Sequence, residues 1–331
     1  MAELLPRLPQ YTRGKMRIHN TAAYIRTVFA VIFFLFSIVM ITGCSTYSSI
    51  KKSTKKIVRD ITAPDDIKKR IAISFFANHT SCTNQNLEEL FQKNLAETIN
   101  RACSDILLIK PGDAGCPDFL TRPLLQKTGR LDNLALARAG RRLGLNAIIT
   151  GAFIDIKVYK EKQGFLWLKD DRNFLRVLIS CEVYDVETGA KLLDESFDYE
   201  VRIDESEFAS IKAKKIKDTT ALKNALAHIA EAMGEKICDT VGILPWKGYV
   251  VSIANDKIII SSGKRAGLLR GDMLEVYESG KIIQGKDGLR FFLPGLKTGE
   301  IKITDVYPDK AHAVLVTGDA IKAGSSIRIK Q

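Results

Sequence analysis

From Val28 to Ile41 the chain runs without a charge through mostly large apolar residues, and the run ends in Ile41-Thr42-Gly43-Cys44. Arg13, Lys15, Arg17 and Arg26 stand in front of it. A transmembrane helix needs roughly 20 apolar residues, whereas the core of a secretory signal needs about 7 to 15. Length therefore predicts an export signal that is removed, and this fixes the compartment in which everything downstream has to fold. Met16 offers a start that would give the signal a more usual length.

The end of that run resembles the lipobox of bacterial lipoproteins. The resemblance implies cleavage between Gly43 and Cys44, acylation of the Cys44 thiol, and a mature chain held to the membrane by lipid at its first residue. Ser45, in place of an aspartate, implies sorting to the outer membrane with the protein facing the periplasm. The other reading is an uncleaved anchor helix with Cys44 as an ordinary cysteine beside it.

The full chain carries a formal charge of +12; five basic residues and one acidic residue precede Cys44, so the part beyond cleavage keeps +8. Its lysines are spread through every segment, and in the periplasm no nucleic-acid partner is expected, so the charge reads as a solvated face with lipid headgroups or peptidoglycan as lesser readings. After Cys44 come Cys82, Cys103, Cys116, Cys181 and Cys238. An odd number in a disulfide-permitting compartment allows at most two pairs. Cys82 and Cys116 are both placed in loops at one sheet edge and form the first candidate disulfide, with buried free thiols as the alternative. No Cys/His spacing suggests a metal site, and no cofactor is expected.

Residues 44–69 are polar and lysine-rich and read as a flexible tether. The following stretch is longer than one ordinary core needs, so two domains are expected. In residues 70–243, Arg70 to Phe76 is a strand. Leu87, Leu90, Phe91, Leu95, Thr98, Ile99 and Ala102 mark one buried helix face capped by Asn86, and Ile106 to Ile109 is a second strand. Leu131 to Leu143 is a helix stopped by Gly144, and Ala147 opens a third strand. Phe174 to Val186 and Lys191 to Val201 flank the turn Glu187-Thr188-Gly189, and Leu222 to Val241 closes the segment as an amphipathic helix. A mixed sheet covered by helices buries these faces. Residues 246–331 alternate in short strands (248–254, 257–262, 273–278, 300–306, 311–317 and 325–330) and predict a small all-β barrel or sandwich. The fold class is thus α+β.

Arg70 to Asn78, taken with Leu143 to Gly151, resembles the N-terminal domain of the translocation protein TolB. That domain is shared by curli-secretion lipoproteins, lipoprotein activators of penicillin-binding proteins and the middle of flagellar assembly protein T. Gly263 to Tyr277 with Gly299 to Val306 resembles the C-terminal domain of flagellar assembly protein T, and Ala266-Gly267-Leu268 with Gly271-Asp272 echoes a PDZ domain more faintly. The lipobox and the lack of an evident extra N-terminal domain depart from the flagellar pattern.

Catalytic signals are sparse. Gly280 to Lys286 is one residue short of a phosphate-binding loop, and Phe291-Phe292-Leu293-Pro294 cannot start the helix such a loop requires. No HExxH or GxSxG motif occurs, and beyond the signal the histidines are His79, His228 and His312. His79 falls in a loop at the sheet edge that also receives Asp113 and Asp118, an arrangement equally expected of solvated loop residues. Phe165-Leu166-Trp167-Leu168 places four large apolar residues in an otherwise polar stretch, to be buried in the core or offered to a partner.

These readings converge on a non-enzymatic, lipid-anchored envelope assembly or scaffold component, with a flagellar association implied by resemblance. Its partners would be envelope proteins and the membrane that takes its lipid, and homo-oligomerisation is open. A curli-type secretion pore and an activator of peptidoglycan synthesis are the alternatives.

Overall fold

The computed structural model describes residues 67–331 except 82–86, 114–115, 166–167, 214–218, 255–256, 279, 320 and 331, with the backbone alone at 165, 168, 169 and 287. The expectations for Cys44, the cleavage at Gly43, the tether and the Asn86 cap lie outside the described residues, as does Cys82.

The first part is built from β1 (Lys69–Asn78), α1 (Leu87–Ala102), β2 (Ile106–Ile109), α2 (Asn133–Arg142), β3 (Ala147–Phe165), β4 (Leu168–Asp185), β5 (Lys191–Ile203), α3 (Glu205–Lys212) and α4 (Thr220–Gly242). The five strands form one sheet in the order β2-β1-β3-β4-β5. Because β1 runs parallel to β2 and β3 while β3, β4 and β5 alternate, the sheet is mixed. The parallel centre is covered on both faces, which is why Ile71, Ala72 and Ile73 are all fully buried in succession.

On one face α1 and α4 lie over Ile71, Ile73, Val177 and Ile179 and contribute Phe91, Leu95, Ile99, Leu226, Met233 and Ile237. Phe76, Phe91 and Phe153 meet edge to face there. On the other face α2 lays Leu136 against Ala72, Ile148, Tyr184 and Val186, and Tyr249 from the second part completes that cluster.

The second part holds β6 (Gly248–Ala254), β7 (Lys257–Ile260), β8 (Met273–Tyr277), β9 (Ile282–Gln284), β10 (Arg290–Phe292), β11 (Lys297–Val306), β12 (Ala311–Gly318) and β13 (Ser326–Ile329). Six of them close a barrel in the order β11-β12-β7-β6-β13-β8, with β9 and β10 paired separately. Val250, Ile258, Ile260, Leu274, Val276, Ile301 and Ile327 fill its interior. The barrel, not the sandwich, is the all-β form adopted, and α+β is the class of the molecule. The sheet and the barrel belong to one compact unit, Pro64–Gln331.

Two features depart from the sequence reading. The short helix α3 was not expected; Asp204 caps it through Glu207 N, and it buries Phe208 and Ile211. β3 and β4 continue their pairing far past the sheet, from Ala147↔Asp185 to Phe165↔Leu168, while β5 ends opposite Asn173. Of the apolar quartet, Phe165 and Leu168 are the last backbone pair of this two-stranded arm, and residues 166 and 167 lie outside the described residues. The glycines of the near-miss phosphate loop flank β9, a three-residue strand followed by a 3-10 turn at Lys286–Gly288.

Candidate functional site at the joint of sheet and barrel

The densest group of buried ionisable side chains lies where the β4–β5 turn meets the barrel. Asp185 shapes that turn by accepting hydrogen bonds from the Thr188 amide at 2.9 Å and the Thr188 hydroxyl at 2.6 Å. Gly189 adopts φ of 74°, a left-handed conformation that favours glycine. The turn so formed aims Glu187 inward, with 5% of its surface exposed.

Two further chain segments converge on that carboxylate. Lys247, just ahead of β6, places Nζ 2.5 Å from Glu187 Oε2 and 3.5 Å from Asp185 Oδ1. From β13, Arg328 Nη2 donates to Glu187 Oε1 at 3.0 Å and Ser326 Oγ donates to the same oxygen at 3.1 Å. Burial by itself raises the Glu187 pKa, but the Lys247 ammonium and the Arg328 guanidinium together outweigh it and hold the carboxyl below its ordinary range.

Arg141, from the last turn of α2, fastens the same joint through backbone carbonyls. Its guanidinium donates to the carbonyls of Val186 at 3.3 Å, Glu187, and Gly324 at 3.5 Å. It also lies 3.9 Å from the Phe292 ring centroid and 5.6 Å from that of Tyr249. Burial lowers its pKa, and the surrounding Tyr249, Glu187 and Asp185 pull the other way. Asn146 adds a second bridge, accepting from the Arg70 amide and donating to the Lys247 carbonyl at 3.1 Å. Every carboxylate oxygen described here faces a cation, a hydroxyl or an amide, so the arrangement is a fastening between modules and offers no free base to a substrate.

The sequence-predicted residues fall elsewhere. His79 closes β1 with its amide donating to Phe153 O, while Asp113 accepts from the Lys110 amide at 2.9 Å and Asp118 opens a 3-10 turn. Among the described residues no hydrogen bond joins the histidine to either aspartate. Cys116 is a half-buried free thiol whose pKa is raised, first by burial and then by Asp113, an environment that suppresses the thiolate. Cys181 is free and fully buried in the core, its pKa pushed up to about 12 by burial and by Glu182.

Sequence reasoning missed the disulfide that is present, Cys103–Cys238, with 5.7 Å between Cα atoms and 135 residues of chain between them. The signal existed: Cys103, the residue after α1, stands four residues beyond Ile99 and continues the spacing of its buried stripe, and Cys238 adjoins Ile237 on α4, the helix packed beside it. Two shallow grooves of about 250 and 360 Å³ run along α4, meeting at His228, which stacks on Tyr199 at 4.7 Å. The first also carries the exposed pair Arg101–Glu231.

No protein-family model matches the chain, and no curated protein matches it in sequence. Solved structures similar to part of it include a hypothetical protein from Chlamydia trachomatis, with a TM-score of 0.36 and 14% identity over 53% of this chain and 98% of that one. A lipoprotein from Neisseria meningitidis has a TM-score of 0.30 and 10% identity over 52% of this chain and 99% of its own. Rare lipoprotein B from Shewanella oneidensis has a TM-score of 0.25 and 12% identity over 52% and 98%. Two of these three are lipoproteins by name, and at such scores the likenesses carry no argument about what this chain does.

Proposed function

We propose that this chain is a lipid-anchored lipoprotein of the bacterial envelope, held to the outer membrane through Cys44, facing the periplasm, and acting without catalysis as an assembly or scaffold component. The observation that carries the reading is the Cys103–Cys238 disulfide. Such bonds persist in oxidising compartments, which is where the signal-like segment and the lipobox-like Ile41-Thr42-Gly43-Cys44 would deliver the chain. The joint supports the scaffold role: its buried charges lock sheet and barrel together, so surfaces on the two modules keep a fixed spacing. The arm formed by β3 and β4, with Phe165 to Leu168 at its tip, is the proposed contact for an envelope partner.

The pore reading gains nothing from that arm. A membrane-spanning hairpin needs a lipid-facing side free of charge for about 9 to 11 residues per strand, and here Lys160, Glu161 and Lys162 face Asn173, Arg172 and Asp171 across the ladder. The flagellar and peptidoglycan roles rest on resemblance alone.

Intact-mass analysis of the membrane-extracted protein, beside a Cys44→Ala chain, tests the proposal. The expected mass begins at Cys44 and carries acyl chains that the variant lacks; an unmodified mass that retains Val28 to Ile41 would overturn it.

A further inference from the structure

The β9–β10 hairpin, inserted between barrel strands β8 and β11, is unusual for how much aliphatic surface it leaves uncovered. Ile282 is 46% exposed, Ile283 45%, Leu293 49% and Leu296 80%. These residues form one surface element. Ile282 pairs with Phe292 and Ile283 with Phe291, the Leu293 amide donates to Lys281 O, and the Glu278 amide donates to Leu296 O.

The base of the hairpin is fixed. The Phe292 amide donates to Thr188 O at 2.8 Å, Asn133 Nδ2 donates to Arg290 O at 2.6 Å, and the Arg141 guanidinium lies on the Phe292 ring. β10 is thus held against the joint; Ile283, paired with Phe291, lies on the face of the hairpin turned away from Phe292, whereas Ile282, paired with Phe292, lies on the other face and is still 46% exposed. Such a patch signals a contact surface.

We propose that this hairpin is a membrane-contact element that seats its aliphatic side chains in the surface of an anionic phospholipid bilayer. Exposed Lys281 and Lys286 flank the patch, and neither is ion-paired with a described residue. Cations bordering aliphatic side chains suit anionic headgroups over hydrocarbon. The same lysines oppose a second copy of the chain, because a twofold contact through β9 would bring them against each other.

The chain outside the described structure argues in the same direction. Lys68 N donates to Ala266 O and Ile67 packs on the barrel core, so the segment leading back to Cys44 leaves the body at the barrel that carries the hairpin. From Cys44 to Ile67 the chain reaches at most about 83 Å even when fully extended. The inference rests on the lipid-anchor reading for this nearness and on the hairpin's own composition for the contact.

The test uses the full lipidated chain in phosphatidylglycerol and phosphatidylcholine vesicles with brominated acyl chains. In a Leu296→Trp variant the emission added over the parent chain should be quenched at least about twofold by the brominated lipid and shielded from aqueous iodide. Ile154→Trp, at an exposed aliphatic site on β3 of the sheet, should stay open to iodide, and Ile283→Asp combined with Leu296→Trp should restore iodide access. Iodide access at Trp-substituted 296 in the vesicles overturns the proposal. So does shielding that appears only in native membranes and not in pure lipid, which would assign the hairpin to a protein partner. Flotation and intact mass of the parent chain report the anchor separately, so failure of the hairpin is distinguishable from failure of the anchor.

Discussion

The Lys247 ammonium sits 2.5 Å from the Glu187 carboxylate, and each side chain is less than one-tenth exposed. One residue belongs to the β4–β5 turn and the other leads into the barrel, so the pair makes the two modules energetically inseparable. Removing one partner of a buried pair strands the other charge, at a cost of about 3 to 5 kcal/mol, while replacing both with apolar groups of similar volume is close to neutral. Lys247→Met and Glu187→Gln should each lower the unfolding free energy by amounts in that range, and Lys247→Met combined with Glu187→Leu should recover part of the loss, since Asp185 and Arg328 each still lose a partner. Additive losses in the double variant would show that the pair does not act as a unit.

The same carboxylate sets a pH dependence. Its folded pKa is depressed below the ordinary value of 4.5, so its contribution is fully present above that value and is lost as pH falls through the folded pKa. Unfolding free energy measured between pH 7 and pH 3 should fall more steeply in the parent chain than in Glu187→Gln, with the two curves converging below pH 4.5. Parallel curves would remove Glu187 from the acid transition.

Cys103–Cys238 closes a long loop across the two helices on one sheet face. Restricting the unfolded chain over such a separation contributes about 3 to 5 kcal/mol. Reductant should therefore lower the melting temperature of the parent chain and leave that of a Cys103→Ser, Cys238→Ser chain unchanged. A parent chain indifferent to reductant would contradict the bond.

Periodicity made the helices and barrel strands readable because each buries one face, as with the stripe from Leu87 to Ile99 and the alternation of Ile301 and Ile303. The joint was not readable. Glu187 looks like an ordinary turn residue and Lys247 like a linker lysine, and only the meeting of segments some 60 residues apart in sequence buries them. α3 escaped because an eight-residue helix offers too few repeats to show a period, and Cys103–Cys238 because pairing was sought among loop cysteines when one directly follows α1 and the other lies on α4 packed beside it.

Tyr249 is the largest fully buried side chain, and its hydroxyl has no hydrogen-bond partner among the described residues. Its pKa is raised well above the ordinary phenol value by burial and then by Asp185. An unpaired buried hydroxyl costs about 1 to 3 kcal/mol. Tyr249→Phe should therefore be neutral or stabilising by up to about 1 kcal/mol in urea unfolding, whereas Arg141→Lys, which loses the planar contact with Phe292, should destabilise by about 2 kcal/mol. A clear loss in Tyr249→Phe would show that the hydroxyl has a partner.

Gly234 on α4 lies directly against Thr98 of α1. A Cβ added there would stand 2.6 Å from Thr98 Cγ2 on α1 and 3.1 Å from Thr98 Cβ, closer than packed side chains tolerate. The glycine lies inside a helix, where alanine is otherwise preferred by about 1 kcal/mol, so any destabilisation must come from the clash and not from backbone preference. Gly234→Ala should cost about 1 to 3 kcal/mol as the helices are forced apart. Thr98→Ala removes the obstructing methyl and hydroxyl, so the double variant should regain most of that loss, and a double-mutant cycle in urea would read the coupling directly. A Gly234→Ala chain as stable as the parent, or a double variant with no recovery, would mean that α1 and α4 do not meet at this crossing.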